Sequence, residues 1–226
     1  QAEMMGLPLN MIKVKLGDSS FPVSSGSGGQ WGANSSTAGV YAACVKLREK
    51  IADKLGYDKG TAEFSGGQIK ADDKSAPLIQ AVSDKPLEAE DAMEYGDLDK
   101  KYALQTFGGH FVEVGVNAYS GEIRIRRMLA MCAAGRILNP KSARSQVIGG
   151  MTMAAGAALM EHLAVDKKRG FFVNHDLAGY EVPVHADIPH QDVIFLDEAD
   201  DKSSPMKAKG VGELGICGVS AAIANA

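Results

Sequence analysis

The chain is predicted to be α+β, with mixed sheets and helices packed on one side. Three observations carry this. Apolar residues from Ser36 to Leu55 recur at three–four spacing, the signature of one buried helix face. Phe107–Arg127 alternates as two strands around a central turn. Elsewhere strands and helices alternate unevenly, which suits mixed layers. Two lobes are expected, residues 1–100 and residues 101–226, with the join in the charged middle stretch or the hairpin.

In Met11–Leu16, Ile12, Val14 and Leu16 share one side, and Lys13 and Lys15 the other, which predicts a half-buried strand. Gly17–Asp18 ends it. Residues 22–36, PVSSGSGGQWGANSS, have the composition of a flexible linker. They also hold the only tryptophan, Trp31, and run straight into a helix, the layout of a phosphate-cradling loop. In that helix Val40, Cys44, Leu47, Ile51 and Leu55 should face inward. Ser35 or Ser36 can cap its start and Gly56 its end. Residues 60–101 read as irregular, and the charged run 84–101 as a solvated excursion.

The central hairpin sets Val112, Val114 and Val116 against Ile123 and Ile125, with the turn at Tyr119-Ser120-Gly121. Residues 133–162, AAGRILNPKSARSQVIGGMTMAAGAALMEH, begin with a turn and continue as a helix. Gly150, Ala154, Ala155, Gly156 and Ala158 let that helix pack at close range. It reads as a core helix after a surface turn. Equally, Arg136 and the Pro140 turn can hold phosphate oxygens, and the Gln146 amide can both donate and accept. Residues 174–189 form an extended connection, Val193–Leu196 a buried strand, and Asp197–Asp201 an acidic turn.

The chain then reaches Lys207–Gly218, KAKGVGELGICG, where Glu213 stands among Gly210, Gly212, Gly215 and Gly218. Glycines allow close backbone approach to a ligand, and Val219–Ala226 reads as the start of a helix. A glutamate there can serve as a base beside a phosphate-bearing cofactor. By spacing alone a plain loop with a surface glutamate is the favoured reading, since short glycine motifs are common.

Composition narrows the class. A net charge of −4 gives no electrostatic case for nucleic acid, and no apolar run reaches the length of a membrane span. Cys44, Cys132 and Cys217 form no CxxC pair, and their apolar surroundings imply buried free thiols. His110, His162, His175, His185 and His190 are scattered and read as packing or surface residues. The chain opens like the tail of a helix and stops within one, so it is expected to be a fragment of a longer polypeptide.

Taken together, the blocks resemble the large, molybdenum-binding subunit of molybdenum hydroxylases, the xanthine dehydrogenase and aldehyde oxidoreductase family. KGVGE before a small-residue helix is similar to that family's active-site signature. Gly135, Arg136, Asn139, Pro140, Gln146, Gly149 and Gly150 match its G-R-x-x-N-P and Q-x-x-G-G pattern. FGGHFVEVGV matches its FG-x-x-F-x-E-V-x-V hairpin. Asn174, Tyr180, Pro183, Asp187 and Pro189 match a positioning segment. Ala133 departs from the pattern where the family often has an aspartate, so any role for that carboxylate is absent. The resemblance covers nearly the whole chain, and the wording of its last stretch is most like bacterial periplasmic aldehyde oxidoreductases.

The resemblance implies a partial molybdopterin-binding domain of aldehyde oxidoreductase type, both lobes meeting the cofactor and the second carrying the glutamate loop. It implies molybdenum held by the dithiolene of a molybdopterin cytosine dinucleotide, with no direct protein ligand. Glu213 would be the catalytic base. Gly28, Gly29, Gln30, Trp31, Gly32 and Ala33 would neighbour the cofactor. So would Arg136, Ile137, Leu138, Asn139, Pro140, Lys141, Ser142 and Gln146, and finally Lys209, Gly210, Val211 and Gly212. The implied activity is oxidation of aldehydes to carboxylic acids with water as the oxygen source. Electrons would leave through 2Fe–2S clusters and FAD on partner subunits. The upstream remainder of the same subunit would complete the site, in the periplasm or alternatively the cytoplasm. A purine or other N-heterocycle hydroxylase, and a cofactor-binding fragment inactive by itself, are the alternatives.

Overall fold

The structure, a computed structural model, describes residues 1–23, 26–27, 32–94 and 96–226. These form two compact units, one of Gln1–Gly26 and Gly32–Tyr102, the other centred on Ala103–Ala226.

The first unit opens with a short helix, Ala2–Met5 (α1), ended by Gly6 in the left-handed region. The strand expected over Met11–Leu16 does not form. Leu9–Met11 is a 3-10 turn, and Val14 and Leu16 are exposed. Alternation creates two faces, but a strand also needs a neighbour to accept its hydrogen bonds. The long helix, Gly32–Leu55 (α2), begins before Ser36, so Ser35 and Ser36 lie inside its first turns rather than at its cap. The Ser35 hydroxyl there donates to the carbonyl of Gly26 at 3.2 Å. Gly56, at φ 72°, ends α2 as expected. Cys44 and Ile51 are buried and Leu47 and Leu55 half-buried, but Val40 is exposed and Ala38 and Ala42 occupy the inner face instead. Arg48 stitches α2 to its surroundings, donating to the carbonyls of Met4 (3.2 Å) and Ala62 (3.1 Å) and stacking 4.5 Å from the Phe64 ring.

Residues 60–101 are more ordered than their sequence suggests. Glu63–Ser65 (β1), Gln68–Ala71 (β2) and Lys74–Pro77 (β3) form an antiparallel meander around Ile69, which is fully buried. Gly66 and Gly67 make the first turn with positive φ, the conformation a tight hairpin needs. The following stretch stays largely exposed and is tied to α2 by Lys46–Asp91 (3.2 Å), by Lys50 on the Glu88 carbonyl (2.7 Å) and by Lys54–Asp84. It ends in a short helix, Leu98–Lys101 (α3).

The second unit is built on the expected hairpin, Phe107–Val116 (β4) and Ile123–Ala133 (β5). Pro140–Leu159 (α4) follows, then a small hairpin of Val165–Asp166 (β6) and Phe171–Phe172 (β7). Gln191–Phe195 (β8) and Val219–Asn225 (α5) complete it. The sheet order is β4–β5–β8, with β4 antiparallel and β8 parallel to β5, a mixed sheet. β8 is half-buried rather than buried, with Ile194 exposed at the sheet edge. A bulge opposite Glu113–Val114 resets the alternation of β5, so Ile125 and Met128 both face the core while Arg126 and Arg127 both face out. Glu113 bridges that pair, 2.6 Å from Arg127 and 3.6 Å from Arg126.

α4 lies on the core face, where Val147, Met151 and Ala154 are fully buried with Ala130, Cys132 and Val219. Complete burial of Met151 contributes roughly 2–3 kcal/mol. Asn139 caps α4 by accepting from the Ser142 N–H at 3.1 Å, and Pro140 takes the first helical position. The connection 174–189 positions neighbours, as expected. Tyr180 donates to Glu161 at 2.9 Å, Asp187 accepts from the Val184 N–H at 2.9 Å, and Pro183 packs against Gly156 of α4. Two of the three cysteines, Cys44 and Cys132, are buried, and burial pushes the Cys132 thiol up to about 11. Cys217 is exposed, because the turn that carries it lies on the surface of α4. Among the described residues, no helix is long and apolar enough to cross a membrane.

Candidate functional site

The two glycine-bearing motifs, far apart in sequence, meet through their backbones. The Arg136 N–H donates to the Lys207 carbonyl at 2.8 Å, and the Lys209 N–H to the Ala134 carbonyl at 3.0 Å. Between them Gly135 and Ala208 form an antiparallel bridge. Only glycine suits position 135. Its φ is +63°, and a Cβ there would come within 2.5 Å of the Lys207 carbonyl oxygen.

The acidic turn ahead of this junction braces it. Glu198 accepts the Gly135 N–H at 2.7 Å and pairs with the Lys209 ammonium at 2.8 Å; Asp200 lies 3.7 Å from the same ammonium. Asp200 also accepts from the backbone N–H groups of Lys202 (2.8 Å) and Ser203 (2.9 Å). The buried Ser204 hydroxyl donates to the Ala208 carbonyl and accepts its N–H. The Lys209 ammonium and its backbone N–H are therefore both engaged inside the protein, so neither is left to donate to a cofactor. The sequence placed Asp197–Asp201 only as a turn; the signal of its role was an acidic run just ahead of a lysine pair.

The Lys209 hydrogen bond and the Gly135 N–H hold the Glu198 carboxyl below its usual range. Burial works against ionisation of Asp200, but the N–H groups of Ser203 and Lys202, the Ser203 hydroxyl and Lys209 outweigh it, so its pKa is lowered too. Carboxyls with lowered folded values add stability above their ordinary pKa and lose it as pH falls through the lowered one. In the full-length protein, Glu198→Gln is therefore expected to destabilise by about 1–3 kcal/mol at neutral pH. The gap in melting temperature from wild type should close as pH drops below about 4. A gap that persists unchanged into strong acid would contradict the brace.

Beyond the junction the chain turns over α4. Thr106 donates to the Gly210 carbonyl at 2.7 Å, the Leu214 N–H reaches the Val211 carbonyl at 3.1 Å, and the Ile216 N–H reaches the Glu213 carbonyl at 3.3 Å. A Cβ on Gly215 would sit 2.1 Å from the Val147 carbonyl oxygen, and one on Gly150 would sit 2.8 Å from the Ile216 nitrogen. The small residues of α4 thus admit the backbone of this turn. Leu214 points into the core, and Glu213 points outward.

Burial of Glu213 is not observed within this chain. Its carboxylate is exposed and makes no hydrogen bond or ion pair with any described residue. It is nonetheless close to the other motif, since its turn rests on Val147, the neighbour of Gln146. Gln146 and Gly149 are exposed on α4, and Arg136, Leu138, Asn139, Pro140, Lys141 and Ser142 are exposed just before and at its start. Ile137, Gly210, Val211 and Gly212 are half-buried. Asn139 and Pro140 serve first to start α4. Of the glycine-rich loop, Gly28, Gly29, Gln30 and Trp31 lie outside the described residues; Gly32 opens α2 half-buried and Ala33 is exposed beside it.

The groups exposed here are the Gln146 amide, the Arg136 guanidinium, main-chain atoms and the Glu213 carboxylate, which has no partner among the described residues. Such donors and acceptors fit an organic, oxygen-rich cofactor. Among the described residues, no three His, Cys, Asp or Glu side chains come together to hold a metal ion.

The chain is 68% identical over 225 residues to the aldehyde oxidoreductase molybdenum-binding subunit PaoC of Escherichia coli (strain K12), covering 100% of this chain and 31% of that protein. It is 29% identical over 239 residues to the putative xanthine dehydrogenase molybdenum-binding subunit XdhA of the same strain, covering 100% of this chain and 32% of that one. It therefore spans about a third of the length of these curated relatives. Among solved structures, CO dehydrogenase from Oligotropha carboxidovorans matches the fold with TM-score 0.68 at 20% identity, over 86% of this chain and 25% of that one. An aldehyde oxidoreductase from Desulfovibrio desulfuricans matches with TM-score 0.57 at 21% identity, over 84% and 19%. The profile of the molybdopterin cofactor-binding domain matches residues 1–189, most of the chain, and to that family the chain belongs.

Proposed function

We propose that this chain is part of the molybdenum-binding subunit of a molybdenum-dependent hydroxylase that oxidises aldehydes to carboxylic acids, with water as the oxygen source. One observation carries the reading. The turn bearing Glu213 is seated, backbone to backbone, on the helix bearing Gln146, and the segment before it, residues 207–209, is joined to the backbone of Arg136. The 68% identity to an aldehyde oxidoreductase subunit supports the substrate class.

When bound, a molybdenum–molybdopterin cytosine dinucleotide supplies the two-electron redox chemistry. Arg136, the main chain of 137–142, Gln146 and the main chain of 210–212 would hold it. Glu213 accepts, at a carboxylate oxygen, the proton released as water oxygen is added to the aldehyde carbon. The balance is one aldehyde and one water giving one carboxylic acid, two protons and two electrons. The electrons pass to FAD and iron–sulfur centres on partner subunits.

The test is the intact subunit assembled with its partners, analysed for molybdenum, iron and flavin and assayed against benzaldehyde and xanthine. Turnover of benzaldehyde far above xanthine is expected. Xanthine as the better substrate would move the protein to the purine hydroxylases, and a molybdenum-free, inactive complex would refute the reading.

A further inference from the structure

His110 lies on β4, on the sheet face otherwise given to Val112, Val114, Met128, Ala130 and Cys132. Its Nε2 is 3.2 Å from the Leu214 carbonyl oxygen. That oxygen can only accept, so Nε2 carries the proton and the ring is the donor. Its Nδ1 is buried and has no hydrogen-bond partner among the described residues, which suits a ring without a second proton. Burial lowers the pKa of the imidazole, outweighing the opposing pull of the Leu214 carbonyl. The ring also fills the space a side chain at 218 would need, since a Cβ on Gly218 would come within 2.5 Å of its Cδ2. Two residues before it, Gly108 makes room for Leu214, whose Cδ1 would lie 3.3 Å from a Cβ there.

The Glu213 turn is therefore held from two directions. α4 receives Gly215 and Ile216, and β4 receives Leu214 and Gly218. The carbonyl gripped by His110 belongs to the residue next to Glu213. We propose that His110 is a positioning residue, a neutral N–H donor that fixes the main chain at Leu214 and so aims the Glu213 carboxylate. The proposal rests on the reading of Glu213 as the base.

The test uses the assembled, molybdenum-loaded complex with three replacements. His110→Leu keeps most of the volume and removes the donor. His110→Gln keeps a donor within reach of the carbonyl. Glu213→Gln tests the underlying reading on its own. A misaimed catalytic group lowers turnover by about tenfold to a hundredfold. His110→Leu is expected to lower kcat by that factor with KM changed less than about twofold and molybdenum content unchanged. His110→Gln is expected to recover most of it. Amide hydrogen exchange should quicken at Leu214–Gly218 in His110→Leu while α4 stays protected. Wild-type kcat in His110→Leu, with Glu213→Gln inactive, overturns the proposal and leaves Glu213 as the base. So does loss of protection spread evenly over β4, β5 and α4, or failure of His110→Gln to restore turnover. Full activity in Glu213→Gln removes the base itself and the proposal with it.

Discussion

Glu213→Gln is expected to lower kcat by about 10²–10⁴-fold, the range typical of removing a general base. The change replaces one carboxylate oxygen by an amide nitrogen and keeps shape and volume. Because the side chain is exposed and touches no described partner, its stability cost should stay within about 0.5 kcal/mol. Molybdenum content and melting temperature should therefore match wild type while turnover of an aromatic aldehyde with an artificial electron acceptor falls by that factor. Wild-type turnover would remove Glu213 from the chemistry. Loss of molybdenum along with activity would make it a cofactor-holding residue instead.

Gly215→Ala is expected to harm the protein through packing alone. The new methyl would meet the Val147 carbonyl oxygen at 2.1 Å, and that oxygen belongs to the backbone of α4. A flexible side chain could turn aside; a helix carbonyl cannot do so without disturbing its own hydrogen bond. Overpacking of this kind costs about 1–3 kcal/mol or more. The turn must lift off α4, carrying Glu213 away from Gln146. A lower melting temperature and a fall in kcat are expected together in the assembled enzyme. Gly39→Ala is the contrasting case. Gly39 is helical, has open space around it, and gains up to about 1 kcal/mol from the better helix former. Equal, harmless outcomes at both positions would show that the turn is not seated on α4.

The larger elements were legible because they repeat long enough to show a period. α2, α4 and the β4–β5 hairpin each run ten residues or more. β1, β2 and β3 have only three or four residues each, too few for alternation to separate from chance; their better clue was the Gly66-Gly67 pair. Met11–Leu16 misled in the opposite sense, since a two-sided pattern does not say whether anything pairs with it. At the site, the glycines announced close approach but not to what. Gly150 and Gly215 look alike in sequence, yet each makes room for the other's segment. Lys209 stood in the sequence only as a cofactor neighbour implied by resemblance, and Glu198 and Asp200 precede it without any spacing that announces a brace. His110 left no trace at all: a histidine in a strand is ordinary until the opposing carbonyl is known.

The seat between the 215–216 turn and α4 is a joint of main-chain atoms. Such a joint is blind to drift in the side chains around it. Replacements at Gln146, Met153, Glu213 or Ile216, all exposed, alter the chemistry that the surface displays while the surface stays where it is. Reactivity and architecture are thereby separable here, and a designer seeking new selectivity has a fixed platform on which to vary one without rebuilding the other.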